Sequence, residues 1–411
     1  MGSFGFRWLV LAALACVPAC GDGTEPQTDA ATLADAASDS GIELDAGTDA
    51  SVECRTAAGA FPRALGVPEP RPDGVFDPDL VRDPESGRLW LSYSAVDGAP
   101  GRGRVSSHLA YSDDDGDSWC YAGTTNESET VPLTALPTGI TGTSAHWSHE
   151  TSALVHDPGA PTNERWRLVW HRYLHVEDGS GADGRRFEHG WIAQRVSATP
   201  EGLLVAPEQK LFSTAAYHAT STVEAYNDAA PGGTPRVRLD TLEGLEGCLV
   251  ATEPALLAVD TTLHFALFCA RSAVDTRVML IRLDHATEEF RMTGTVVTAS
   301  DAATLNPEYD GLNAADLYAQ DGGYRLLLTP TTASRYRGCF AFEIDLTTAR
   351  LRDDTGDGPD PSFSLPLGES SDAPFGGACT ALAGSRLGLI YGEVRRTAPA
   401  FTLTASGTPA P

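Results

Sequence analysis

Phe76-Asp77-Pro78-Asp79-Leu80-Val81, followed after a turn holding Asp83 and Gly87 by Leu89-Trp90-Leu91-Ser92-Tyr93, is the stretch that decides the fold. A polar or small residue opens a short strand, an Asp/Gly turn follows, and an apolar-aromatic strand closes the hairpin. Four more stretches repeat this plan. They are His149–Val155 with Trp166–Trp170, Thr252–Leu257 with Leu263–Leu267, Asn313–Tyr318 with Tyr324–Leu328, and Gly377–Leu382 with Leu387–Tyr391. From residue 54 onward the chain shows no amphipathic helical pattern. Short β-rich runs broken by Gly, Pro, Asp and Asn are the signature of an all-β chain.

The chain between copies is long enough for two further strands each. The expected fold is therefore an all-β, five-bladed β-propeller with four-stranded antiparallel blades around a channel. Small residues at the strand starts suit a crowded central axis. Ser112-Asp113-Asp114-Asp115-Gly116-Asp117-Ser118-Trp119 matches the Asp-box, S-x-D-x-G-x-x-W. Its Ser and Asp can cap turn amides, its Gly can take positive φ, and its Trp can pack between strands. Leu109–Tyr111 and Cys120–Ala122 would be the third and fourth strands of the first blade. The motif marks β-propellers such as sialidases and speaks for fold, not chemistry.

The chain has 411 residues, 29 Lys+Arg against 56 Asp+Glu, and a formal net charge of −27. Such a surface repels phosphate backbones, so no nucleic-acid partner is expected. At 42% hydrophobic residues the chain can bury a large core. Arg7 is the sole charge before the apolar run Trp8–Cys16, which suits a signal-peptide core. The Val17-Pro18-Ala19-Cys20 ending resembles a bacterial lipoprotein signal. That resemblance implies cleavage before Cys20, which would carry the lipid; Cys16 is the competing site, and an ordinary secretory signal the alternative. Residues 21–53 hold nine acids and no Lys or Arg. Such a segment cannot offset its ordering entropy. The expected organisation is a signal peptide over 1–19, a disordered acidic tether over 20–53 and one propeller over 54–411. The expected location is extracytoplasmic, on a bacterial membrane or cell surface through the lipid, as a monomer. Six cysteines then remain, and an even count in an exported chain suggests disulfides. Proximity and the blade scheme favour Cys54–Cys120, Cys248–Cys269 and Cys339–Cys379. No Cys-x-x-Cys spacing points to zinc.

Acids open three of the five inner strands: Asp77, Glu150 and Glu253. Carboxylates converging on one mouth suit glycoside hydrolysis. One must be ionised to activate water, one protonated to serve the leaving oxygen, and a third can hold the acid's proton by repulsion. From about residue 70 to 395 the chain resembles the five-bladed arabinanase, levansucrase and invertase-type propellers of glycoside hydrolase families 43 and 32. The resemblance implies that Asp77, in Asp77-Pro78, is the general base and that Glu253, in Glu253-Pro254, is the general acid. At the second blade Glu150-Thr151 stands where the family usually has Asp. A separation of roughly 6.5–9.5 Å between the Asp77 and Glu253 carboxyls would suit inversion.

Aromatic and basic residues gather in the second copy: His146, Trp147, His149, Trp170, His171, Arg172, Tyr173, His175 and His189. Trp147, His149, His171 and Arg172 are expected to form a sugar platform, with Asp316 binding sugar hydroxyls. No metal-ligand spacing is found and no cofactor is expected. Asp353–Gly358 looks calcium-like but departs from the EF-hand at Ser364, which leaves a structural calcium or a plain acidic turn. Two other functions compete with a glycosidase. A non-catalytic propeller lipoprotein binding glycans or proteins is favoured by the Glu-for-Asp change. A sialidase-like enzyme would need a sixth blade around residues 200 to 245 and an arginine cluster.

Overall fold

The computed structural model describes residues 53–68, 71, 73–98, 103–180, 183–220, 232–332, 335–367, 375–395 and 399–407. Cys16, Cys20, the signal segment and almost all of the tether lie outside the described residues. The described chain is all-β, with its strands in a β-propeller arrangement of at least four blades.

Its strands form five sheets. The first runs from inner strand Val75–Arg82 through Leu89–Asp97 and Arg104–Ser112 to Ser118–Asn126, with Cys54–Thr56 at its edge. The second is Ser144–His156, Trp166–Glu177, Arg185–Ser197, Gln209–Ser213 and Val237–Arg238. The third is Val250–Val259, Thr262–Ala270, Thr276–Asp284 and Glu289–Thr298. The fourth holds Gly311–Gln320, Gly323–Thr332 and Gly338–Asp345, flanked by Arg335–Tyr336, Arg350–Leu351 and Phe363–Pro366. The fifth is Phe375–Ala381, Leu389–Val394 and Phe401–Ala405, completed by the early strand Arg63–Ala64. Each of the five sequence copies thus falls on the first two strands of one sheet. Strand counts run from four to six rather than four throughout.

The inner strands Val75–Arg82, Ser144–His156, Val250–Val259, Gly311–Gln320 and Phe375–Ala381 pack in chain order, and the last returns to the first. Arg63–Ala64 pairs with Phe401–Ala405, so an early segment closes the final sheet. Gly74 bridges Phe401 in the same seam, at φ +105°, with no room for a Cβ: one would lie 1.9 Å from the Phe401 carbonyl oxygen. Burial follows position. Leu89–Val96 is buried on both faces because neighbouring sheets cover it, whereas the outer strand Phe363–Pro366 alternates between half-buried and exposed.

The three disulfides pair as expected from the sequence: Cys54–Cys120, Cys248–Cys269 and Cys339–Cys379, the last joining the fourth and fifth sheets. In the turn at Ser112, the hydroxyl oxygen accepts Gly116 N–H at 2.8 Å and Asp114 Oδ1 accepts Ser118 N–H at 2.8 Å, while Trp119 is fully buried. Residues 200–245 hold the two edge strands of the second sheet, so no sixth sheet is found there among the described residues. Short helices at Ala215–Thr220 and Ala299–Leu305 interrupt the all-β pattern. No described helix is long and apolar enough to cross a membrane.

Candidate active site

Every inner strand breaks register near its midpoint. Partners skip between Phe76 and Asp79, Glu150 and Ala153, Thr252 and Ala255, Ala314 and Asp316, and Gly377 and Thr380. Asp77, Thr151, Glu253 and Ala378 sit in these bulges at φ of 48°, 55°, 51° and 51°. Positive φ is a costly conformation for non-Gly residues, most of all for β-branched Thr151. Ala378 shares it, so the bulge belongs to the fold, and the side chain it aims is what varies. Pro78 and Pro254 follow the two acids; neither needs an amide donor in an interrupted ladder.

Asp77, Thr151, Glu253 and Ala378 line one pocket together with Pro78, Ser152 and Pro254. Its open room is about 20 Å³, close to the minimum of roughly 10–15 Å³ for one water molecule. Asp77 and Glu253 are 6% and 8% exposed. The Asp77 carboxylate accepts the Ser94 hydroxyl at 3.1 Å, and the same hydroxyl oxygen accepts Thr151 N–H at 3.1 Å. Glu253 Oε1 accepts the Tyr336 hydroxyl at 3.2 Å. Burial raises the Asp77 carboxyl well above the usual range, and the Glu150 charge adds to it; bonds from Ser94 and the Thr151 amide oppose. Glu253 is raised well above its usual range by burial, then by Asp77 and Glu150, against the Tyr336 bond and the Arg185 charge.

Glu150 does not occupy the position equivalent to Asp77 and Glu253. That position is Thr151, and Glu150 stands one residue earlier, paired across the ladder with His171. Its carboxyl is raised by burial and opposed by the Arg185 charge and a hydrogen bond from Tyr173. Arg185 is nearly buried and pairs with Asp183. Three acids and one arginine therefore share the field of this pocket. Thr151, Ser94, Arg185 and Tyr336 were not expected from the sequence, and Tyr173 was read only as part of the aromatic cluster of the second copy. Only Thr151 had a legible signal: it stands three residues before Leu154, as Asp77 does before Leu80 and Glu253 before Leu256.

The expected sugar platform is corrected. His149 is fully buried, its Nε2 3.0 Å from Glu129 Oε2 and its Nδ1 accepting Trp170 Nε1–H at 3.0 Å. Trp147, 6% exposed, packs on Trp191 at 5.0 Å. The Arg172 guanidinium lies over both indoles and pairs with Glu208 at 2.6 Å and Glu129 at 3.3 Å. His171 is buried between Tyr173 and Phe187, with Nδ1 2.9 Å from the Thr252 hydroxyl. These side chains build the interior of the second sheet and its contact with the third. The bonds named offset the cost of burying these polar groups.

Asp316 also moves. It is the equivalent of Asp79, not of Asp77, and faces a separate cavity of about 350 Å³ beside the later halves of the inner strands. Thr380 Oγ1 donates to Asp316 Oδ2 at 2.8 Å and lies 3.4 Å from Asp79 Oδ1. Asp316 accepts Ala381 N–H at 3.0 Å, and Asp79 accepts Leu154 N–H at 2.5 Å. This polar hub ties four sheets at the axis. In the Asp353–Gly358 turn, Asp353 accepts Gly356 N–H and Asp354 pairs with Arg352, so both carboxylates serve the turn itself. Among the described residues no group of three or more His, Cys, Asp or Glu is placed to hold a metal.

No protein-family model matches the chain, and no curated protein matches it. Solved structures do. A family-32 β-fructofuranosidase of Bombyx mori superposes with TM-score 0.43 at 12% identity, over 80% of this chain and 58% of that one. The endo-arabinase of Bacteroides thetaiotaomicron gives 0.40 at 11% identity, over 84% and 97%. The native arabinanase of Bacillus subtilis gives 0.42 at 12% identity, over 83% and 100%. The chain thus spans less than three fifths of the silkworm enzyme's length. The likeness to these glycoside hydrolase propellers is one of fold.

Proposed function

We propose that this protein is an extracytoplasmic lipoprotein, anchored through Cys20, whose five sheets close as five blades around a glycosidase site. Asp77 is the general base, Glu253 the general acid, and Glu150 the neighbouring charge that tunes them. The observation that carries this reading is the Asp77–Glu253 pair. Two acids from different sheets stand at the same strained bulge, each before a proline, and line one pocket. The two cannot readily ionise together, so the pair keeps a proton through the neutral range. Its placement follows the donors. Asp77 receives both the Ser94 hydroxyl and the Thr151 amide, which favour its ionised form. Glu253 receives only Tyr336 and faces two other carboxylates. The proton therefore resides on Glu253, ready for a leaving glycosidic oxygen, and Asp77 is left to activate a water in the room between them. Three disulfides support an oxidising, extracytoplasmic location.

The narrowness of that pocket favours a second reading, a propeller that binds glycan above the acids without cleaving it. Turnover of a panel of aryl glycosides and polysaccharides separates the two. Glu253→Gln should lower kcat at least 100-fold on any substrate found. Unchanged activity removes Glu253 as the acid, and no turnover of any sugar leaves the binding propeller.

A further inference from the structure

One side chain outside the acid set touches Glu253 directly and, on its other side, the residue that precedes Asp77. Tyr336, on the short strand Arg335–Tyr336 of the fourth sheet, is 3% exposed. Its hydroxyl donates to Glu253 Oε1 at 3.2 Å, and the Tyr336 hydroxyl oxygen itself lies 3.5 Å from Asn313 Nδ2. Its ring stacks on Phe76, centroids 6.1 Å apart and planes 3° from parallel. Phe76 immediately precedes Asp77 and is braced edge-on by Phe401 at 5.7 Å. Space for the ring depends on Gly377: a Cβ there would lie 2.8 Å from Tyr336 Cβ and 3.1 Å from Cγ.

We infer that Tyr336 is a positioning residue, holding the Glu253 carboxyl through its hydroxyl and the Asp77 backbone through Phe76, and so fixing the two acids relative to each other. The inference rests on the glycosidase reading of that pair. The two contacts have separable consequences. The ring contact sets distance, and a misplacement of about 1 Å can cost roughly 100-fold in rate. The hydroxyl bond favours ionised Glu253 and so restrains a proton affinity that burial, Asp77 and Glu150 all raise. The charged and titratable groups facing this bond are Asp77 of the first sheet, Glu150 and Arg185 of the second, and Glu253 of the third; the fourth adds the amide of Asn313. The phenol stays protonated throughout, because burial and these acids raise it well above the ordinary tyrosine range.

The test compares Tyr336→Phe, which keeps the ring and loses the hydroxyl, with Tyr336→Leu, which loses both. Two readouts are taken on the full chain. The first is the pH–rate profile on any sugar that is turned over. The second is the titration of Glu253 itself by isotope-edited infrared spectroscopy, assigned by the band that Glu253→Gln removes, and it needs no activity. Tyr336→Phe should raise the Glu253 midpoint and the alkaline limb together by about half to one pH unit, with kcat at the optimum within about tenfold. Tyr336→Leu should add a loss of roughly 100-fold in kcat with little change in KM. An unmoved Glu253 midpoint in Tyr336→Phe, a variant that preserves the packing, overturns the inference. So does a Tyr336→Leu protein with wild-type kcat. A midpoint that moves in a protein cleaving no sugar keeps the hold of Tyr336 on Glu253 and overturns the glycosidase reading alone.

Discussion

Replacing Asp79 by Asn probes the polar hub on the axis, away from the proposed site. Asp79 is 6% exposed and accepts Leu154 N–H through Oδ2. Its Oδ1 faces the Thr380 hydroxyl, but that single proton goes to Asp316 at the shorter distance of 2.8 Å. Thr380 Oγ1 therefore offers Asp79 a lone pair, which a protonated carboxyl can use and a carboxylate cannot. Burial pushes the Asp79 carboxyl up to about 7, against the backbone amides of Leu154 and Leu80. The folded-state value is raised, so the bound proton stabilises the fold fully below the unfolded value of 3.8, and that contribution is lost as pH rises to about 7. A shift of about 3 units at about 1.4 kcal/mol each is worth about 4 kcal/mol in full and about 3 kcal/mol between pH 4 and 7. Asparagine copies the protonated form: its carbonyl can accept from Leu154 and its amide can donate to Thr380. Urea unfolding at pH 4, 5, 6 and 7 measures both proteins. The stability of Asp79→Asn relative to wild type should rise by about 3 kcal/mol from pH 4 to pH 7, whatever the fixed cost of the substitution. Parallel curves would show that Asp79 titrates alike folded and unfolded, and would refute the reasoning.

Other perturbations test the framework. Gly74→Ala drives a Cβ to 1.9 Å from the Phe401 carbonyl at φ +105°, and should cost about 3 kcal/mol or more in unfolding free energy by opening the seam between the first and fifth sheets. Trp170→Phe leaves His149 Nδ1 buried without its 3.0 Å donor and should cost about 1–3 kcal/mol, read as a fall in the urea midpoint. Removing the Cys339–Cys379 bond, which closes a loop of 40 residues between two sheets, should cost about 4 kcal/mol by the chain-entropy relation. A cost below 1 kcal/mol for this last variant would mean that the sheet contact holds without the bond.

The repeated hairpins were legible, because short apolar-aromatic runs stand between clusters of turn residues. Each apolar-aromatic hairpin marks the inner half of one sheet, and the loop lengths leave room for the outer strands. The short helix Ala299–Leu305 was not, because seven residues are too few for a periodic face; only its Thr298 and Asp301 capping box announces it. At the site, Asp77 and Glu253 could be read because a proline marks each bulge. Glu150 was displaced by one residue because no proline fixes the phase in the second copy, and a one-residue slip in a strand exchanges its faces. Alignment on Leu80, Leu154, Leu256 and Leu317 gives Thr151 and pairs Asp316 with Asp79. Trp147, His149, His171 and Arg172 carry chemistry that suits a sugar platform, yet the same side chains can satisfy one another inside a sheet. Sequence shows the residue types, and only packing shows that Glu129, Glu208 and Trp170 already engage them. Tyr336 had no local signal, since its role depends on a contact 83 residues away in sequence.

The central claim is that Asp77 and Glu253 act on one glycosidic bond, as general base and general acid. A crystal structure of Glu253→Gln with an oligosaccharide that the wild-type protein cleaves tests it most directly. The account predicts the scissile oxygen within hydrogen-bond reach, roughly 2.6–3.2 Å, of the side chain at position 253, with Asp77 holding a water against the anomeric carbon. A sugar seated elsewhere, on the outer sheets or in the cavity beside Asp79 and Asp316, would contradict it.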